Sequence, residues 1–332
     1  MVKNKRFFLA VLWLGLILAS LLVSSQSAFA DDKPNKEIIV TPIASGLSVF
    51  LLGSTVGPDG ALYVPDGNEG MIWRVDPATG AVSLFASGLP KAIWRGDQGG
   101  PGDVAFVGDT AYAMVTLVAD DIGGSDVVGI YRIDGPTSYT IIADIGKWST
   151  ENPPDSPFFV PTGAQISMQT YKGGLLVVDG HHNRILRVSV KGKISELAAF
   201  PDIVPTGTDI QGKKIYLAQA GPIPHDPSMG KVLVLKPKSY KPTEVASGLR
   251  LLVDVEFGSG RSLYALSHGE WNGAFEGSTA FPNTGALARV DDDEFEILVD
   301  HLNQPTSLEF IGDTAYVTLL NGTILKIENL PK

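Results

Sequence analysis

PTSLEFIGDTAYVT (Pro305–Thr318) runs from a Pro-Thr step into a strand, turns at Gly312-Asp313 and returns through a second strand. Alternating apolar residues on both sides of a Gly-Asp turn mark an antiparallel hairpin with one buried face. The unit recurs upstream as LVDVEFGSGRSLYAL (Leu252–Leu266), PTGTDIQGKKIYLA (Pro205–Ala218), PTGAQISMQTYKGGLLVV (Pro161–Val178) and PGDVAFVGDTAYAM (Pro101–Met114). GSTVGPDGALYV (Gly53–Val64) is a sixth copy whose first part is altered. Successive copies lie roughly 45 residues apart, the period of a propeller blade.

Each hairpin is followed by a second strand-turn-strand, as in MIWRVDPATGAVSLFASGL from Met71 and RILRVSVKGKISELAAF from Arg184. Four strands per unit follow, and no stretch after residue 30 reads as a long amphipathic helix. The last unit stops at TILKIENL (Thr323–Leu330) with three strands. Its fourth stands at the other end of the chain, where EIIVTPIASGL (Glu37–Leu47) matches AVSLFASGL (Ala81–Leu89) and PTEVASGL (Pro242–Leu249). Pairing the two ends closes the ring and leaves no open blade edge. The expected fold is therefore all-β, a six-bladed β-propeller of four-stranded antiparallel blades. Its blades span roughly 48–89, 101–145, 160–199, 204–249, 251–302 and 304–330 plus 37–46, in one domain over 31–332.

Upstream of that domain, Lys3, Lys5 and Arg6 precede an uncharged apolar run from Phe7 to Val23 and an Ala28-Phe29-Ala30 end. These are the three parts of a signal peptide over residues 1–30; an uncleaved N-terminal anchor is the alternative. The expected location is outside the cytoplasm, periplasmic or extracellular. Cleavage after Ala30 takes the net charge from −10 to −13. A strongly acidic chain without a Lys/Arg cluster fits neither nucleic acid nor an anionic membrane surface, so no membrane contact is expected beyond the N-terminal signal or anchor. Cysteine is absent, which excludes disulfides, thiolate nucleophiles and thiolate metal sites.

In an up-and-down blade, the loops joining second to third strands and those joining successive blades emerge on one face. Here both classes are long: Pro90–Gly100 and Gly146–Val160 between blades, and Ala119–Val127, Gly221–Gly230 and His268–Gly285 within them. The opposite face has short turns such as GPDG and VKGK. Long loops on a rigid scaffold are where binding residues gather. They carry Trp94, Trp148 and Trp271, which either stack on a planar ligand or pack the loops onto the disc. Arg95 adjoins Trp94, and four of the five histidines, His181, His182, His225 and His268, fall on or near this face. Asp66 and Asp179 end second strands and are expected at the tunnel mouth. A His/Asp set of this kind suits acid-base chemistry or a metal, although no ligand spacing assigns a metal site.

The inner strands add a polar ring. Aligning the repeats places Asp103, Gly163, Gly207, Asp254 and Ser307 at one level, with Ala105, Gln165, Asp209, Glu256 and Glu309 two residues on. Acids near the axis either accept backbone N–H groups of neighbouring blades, the preferred reading, or coordinate an oxygen-seeking cation such as calcium. Asn321-Gly322-Thr323 is a formal glycosylation sequon placed in a tight hairpin.

QGGPGDVAF from Gln98, ENPPDSPFFVPTGAQI from Glu151, GGLLVVDGHHNRILRVSVKGKI from Gly173, AFPDIVPTGTDI from Ala199, IYLAQAGPIPHDPSMGKVLVL from Ile215 and NTGALARVD from Asn283 together resemble the ScyD/ScyE family of exported bacterial propellers, from about Ile39 to Leu330. The resemblance implies a propeller outside the cytoplasm. It also implies a link to the biosynthesis or handling of scytonemin, an indolic-phenolic pigment, and carries no catalytic residues over. The leading expectation is a binding propeller that holds a small aromatic molecule over the tunnel mouth. The alternatives are a lactonase-, lyase- or dehydrogenase-like enzyme on the same face and a scaffold for a cell-envelope protein. A lactonase fits least, because LLGSTVGPDG in the first inner strand offers no carboxylate before its turn.

Overall fold

In the computed structural model, which describes residues 36–48 and 52–331, six four-stranded sheets follow one another along the chain. They lie within one unit, Glu37–Lys332. Blade 1 comprises Thr55–Val56, Leu62–Asp66, Met71–Val75 and Val82–Ser87; blade 2 comprises Gly100–Val107, Thr110–Thr116, Gly129–Gly135 and Ser138–Asp144. Blade 3 runs from Gln165 to Ala199, blade 4 from Pro205 to Ser247 and blade 5 from Leu252 to Leu302. Blade 6 has three strands from Pro305–Ile311 to Ile324–Glu328, and Ile39–Ala44 adds the fourth with Ile39 opposite Glu328 and Thr41 opposite Lys326. The six blades and the closure by the chain ends are as the repeat predicts. The signal-peptide segment lies outside the described residues.

Burial explains why the repeat is needed. Six apolar clusters form, one at each junction between blades; Tyr63, Ile72 and Val104 belong to the first, and Leu62, Tyr316 and Ile324 to the one that joins blade 6 to blade 1. A blade cannot bury its two faces alone, and stacking in a ring does it for all six. The tyrosine that recurs in the second strand crosses to the next blade: Tyr63 meets Phe106 edge-on at 4.7 Å, and Tyr216 meets Phe257 at 4.8 Å.

Every inner strand from blade 2 to blade 6 carries a register shift at its start, for example between Pro101 and Asp103 and between Pro305 and Ser307. Such bulges re-aim side chains. Just before three of these strands, Val204, Leu251 and Gln304 take left-handed backbone angles (φ 51°, 46° and 51°). Each then accepts a backbone hydrogen bond across the blade, from Ala220, His268 and Leu320. For a β-branched valine that conformation is costly, and the strain sits at the rim of the central tunnel. The inter-blade insertion after blade 2 forms a helix, α1 (Ile145–Glu151), capped by Asp144, whose carboxylate accepts the Lys147 N–H.

Candidate functional site

Above the tunnel mouth, on the loop-rich face, a cavity of about 660 Å³ opens between the long loops. Its walls are mostly apolar. Ile166, Val204, Leu251 and Leu320 contribute from the ends of blades; Trp94 comes from the loop before blade 2, Phe158 and Phe159 from the loop before blade 3. Two of the residues with left-handed backbone angles, Val204 and Leu251, thus line this space.

The blade-5 loop forms a strap that ties the loops together. It folds on itself through a bridge between Trp271 and Ala280. Gln98 Nε2 donates to the Gly277 carbonyl at 3.1 Å, joining loops 179 positions apart in sequence. The Arg95 guanidinium lies 3.9 Å from the Phe275 ring centre and 5.2 Å from that of Trp94. Glu276 approaches His181 Nδ1 at 3.4 Å, and Trp271 packs edge-on against His225 at 5.7 Å.

Three histidines line the cavity, and their hydrogen bonds set their tautomers. His268 Nδ1–H donates to the Pro305 carbonyl at 2.9 Å, and His225 Nδ1–H donates to the Gly221 carbonyl at 2.7 Å. In the neutral ring the basic nitrogen is then Nε2. His181 is reversed: its Nε2 accepts the N–H groups of Phe159 (2.9 Å) and Val160 (3.1 Å), so Nδ1 carries the proton and faces Glu276. Burial pushes all three below the usual histidine range, and the neighbouring His182 adds to the effect at His181.

Several residues expected at the site belong to the scaffold. His182 is buried beneath the loops, with its Nδ1 2.9 Å from an Arg184 guanidinium nitrogen and its Nε2 3.0 Å from the Val160 carbonyl oxygen. Asp179, fully buried, lies 3.1 Å from His182 Nδ1 and 3.5 Å from Arg184 Nε, and its other oxygen accepts the backbone N–H groups of Ala164 and His182. Burial alone raises a carboxyl pKa; here His182 and Arg184 outweigh it and hold Asp179 below the usual range. Gly163 makes room for this cluster: a Cβ there would stand 2.5 Å from an Asp179 oxygen. Trp148, on α1, covers Arg184 with its ring centre 5.0 Å from the guanidinium carbon, and Arg184 donates to Asn152 O and Ser149 Oγ of the same loop. Asp66 turns into its own blade and accepts the Trp73 indole N–H and the Glu69 N–H. Of the three loop tryptophans only Trp94 lines the cavity; Trp148 and Trp271 hold loops in place.

Below the cavity the tunnel contains a second space of about 130 Å³ lined by Asp103, Asp254, Glu256 and Glu309, without a lysine, arginine or histidine among its lining residues. The register of blade 3 differs from the sequence alignment. Gln165 faces Asp179 and Ser167 faces Val178, so Ser167 and Gln169, not Gly163 and Gln165, hold the two tunnel levels. The repeat-like PTG at Pro161 misled the alignment: it precedes the strand instead of opening it. The aspartates bridge blades as preferred from the sequence. Asp103 accepts the Met168 N–H at 2.7 Å, Asp209 the Phe257 N–H at 2.8 Å and Asp254 the Leu308 N–H at 2.8 Å. Burial pushes Asp103 well up and Asp254 up to about 7. Glu256 and Glu309 rise far above the usual range, first through burial and then through neighbouring carboxylates, including Glu309 beside Glu256. Among the described residues no three His, Cys, Asp or Glu side chains converge as a metal ion requires.

Sequence reading passed over Gln98, Asp202 and Glu276 at the cavity and Arg184 beneath it. Arg184 left one signal, a basic residue opening the strand RILRV across the turn from Asp179. Glu276 left none beyond its place in a long loop.

No protein-family model and no curated protein matches the chain. Solved structures share the fold. Virginiamycin B lyase from Staphylococcus aureus is 13% identical, with 88% of this chain and 99% of that chain covered and a TM-score of 0.53. The PQQ-bound aldose sugar dehydrogenase from Streptomyces coelicolor is 15% identical over 89% and 99%, with a TM-score of 0.60. A putative gluconolactonase is 12% identical over 88% and 92%, with a TM-score of 0.53. At these identities the likeness is one of fold.

Proposed function

We propose that this chain is an exported binding propeller of the ScyD/ScyE type that holds a small aromatic molecule above its tunnel mouth, in the handling of a scytonemin-like metabolite. The observation that carries the reading is the cavity itself. Its volume of about 660 Å³ suits a small organic ligand, and Trp94, Phe158 and Phe159 rim it over an apolar floor. The adjacent rings of Phe158 and Phe159 are exposed together, 39% and 53%, at the cavity wall, and contiguous exposed apolar surface marks a binding site.

Thermal unfolding of the purified protein against neutral indoles and phenols tests this. A ligand at a hundred times its Kd adds about 2.7 kcal/mol, which raises the midpoint by several degrees in a domain of this size. The shift is expected to vanish in Trp94→Ala. No shift with any aromatic compound contradicts the reading and favours an envelope-protein partner.

A propeller enzyme is the second reading, and His268 favours it. With Nδ1–H given to a carbonyl and burial keeping the ring neutral, its Nε2 is the basic nitrogen of a residue on the cavity wall. That is the arrangement of a general base. The neighbours that share the fold include a lyase and a sugar dehydrogenase. Turnover of an aromatic ligand by the wild-type protein, lost in His268→Ala with binding retained, supports it; binding without turnover removes it.

A further inference from the structure

The cavity has a charge character that its apolar walls conceal. Asp97, Asp202 and Glu276 are the charged residues that line it, and neither lysine nor arginine joins them. Arg95, next to Trp94, lies over the faces of Trp94 and Phe275, and Arg250, next to Leu251, pairs with Glu270. Asp202 and Glu276 share the cavity wall, and Glu276 reaches His181 Nδ1 at 3.4 Å.

The uncharged polar groups add to the bias. Several side-chain donors on the walls are committed elsewhere: Gln98 Nε2 to Gly277, Thr116 Oγ1 to Gln165, Thr206 Oγ1 to Ala218 and Leu252, Ser278 Oγ to Asn272. The backbone N–H groups of Phe159 and Val160, which in an open loop suit an anion, are taken by His181 Nε2. His225 and His268 have each given their proton to a carbonyl, so the nitrogen left on each ring accepts. Carboxylates and unprotonated imidazole nitrogens together offer acceptors, in a mostly apolar enclosure where charge complementarity is less screened than in water.

We propose that the site selects aromatic molecules that carry a protonated amine and rejects those that carry a carboxylate. This rests on the aromatic-ligand reading above and assigns its charge class.

The test is calorimetric titration of the purified protein with three probes that share one ring: indole, tryptamine and indole-3-acetate. Tryptamine is expected to bind at least tenfold more tightly than indole-3-acetate at low salt. Screening by added salt should narrow that gap. The Asp202→Asn, Glu276→Gln double variant should reduce it severalfold. Equal affinities, or a preference for indole-3-acetate, overturn the proposal. So does a preference that survives unchanged in the double variant. Failure of indole itself to bind defeats the aromatic-ligand reading and this inference with it, whereas indole binding without charge preference defeats the inference alone.

Discussion

Asp179 in blade 3 is fully buried and the tunnel acids Asp254, Glu256 and Glu309 are half-buried, yet their pKa values move in opposite directions. Asp179 sits against His182 and Arg184 and stays ionised. The tunnel acids have no basic neighbour among the residues lining that space, and burial with neighbouring carboxylates pushes their pKa values up. One strand position shows how a single partner decides the matter. Asp66 in blade 1 and Asp179 in blade 3 are equivalent, opposite Met71 and Arg184 respectively. The aspartate facing methionine finds a neutral indole N–H; the one facing arginine becomes half of a buried ion pair that also anchors a loop.

The two clusters should respond oppositely to mutation and to pH. The largest expected effect is from Arg184→Met, which leaves the Asp179 charge buried and unpaired and loosens α1. A loss of about 3–5 kcal/mol in denaturant unfolding is expected. Adding Asp179→Asn to that variant should restore part of the loss, because the stranded charge is removed. Trp148→Ala, which uncovers the same guanidinium, should cost about 2 kcal/mol and leave indole affinity unchanged. Trp94→Ala should do the reverse.

Glu256→Gln should stabilise the protein at pH 8. Its folded pKa is raised, so its contribution to stability is full below the unfolded value and is lost as pH rises through the folded one. The amide imitates the protonated acid, and a gain of at least about 1.4 kcal/mol at pH 8, the equivalent of one pKa unit, should disappear by pH 4. Asp179 works the other way: its stabilisation is present above the unfolded pKa and is lost as pH falls through its depressed folded value. The smallest effect is expected from calcium. The tunnel aspartates already accept backbone N–H groups of neighbouring blades, so millimolar calcium should move the unfolding midpoint by less than about one degree; a larger shift means that the carboxylates reorganise around a cation.

The fold was legible because each blade must repeat the same burial problem. Tyr63, Tyr112, Tyr216, Tyr264 and Tyr316 recur at one position of the second strand, and the N-terminal strand repeats the ASGL ending of other outer strands. The face and the loops that carry the cavity were legible too, since strand direction fixes where each loop emerges. Side-chain direction inside long loops was not. Trp94, Trp148 and Trp271 look alike in sequence, but a short helix turns Trp148 onto Arg184 and the blade-5 strap turns Trp271 onto His225. His181 and His182 are adjacent, and only the first reaches the cavity. The blade-3 register failed for a different reason. Backbone hydrogen bonding, which the residue pattern does not encode, places Pro161–Gly163 ahead of the strand.

Locating a bound ring tests whether the cavity takes an aromatic molecule. Crystals grown with 5-bromoindole and measured at the bromine absorption edge report its position independently of any activity. One anomalous peak is expected above the tunnel mouth, between Trp94, Phe158 and His268. A peak only on the short-turn face, or none at saturating concentration, contradicts the aromatic-ligand reading.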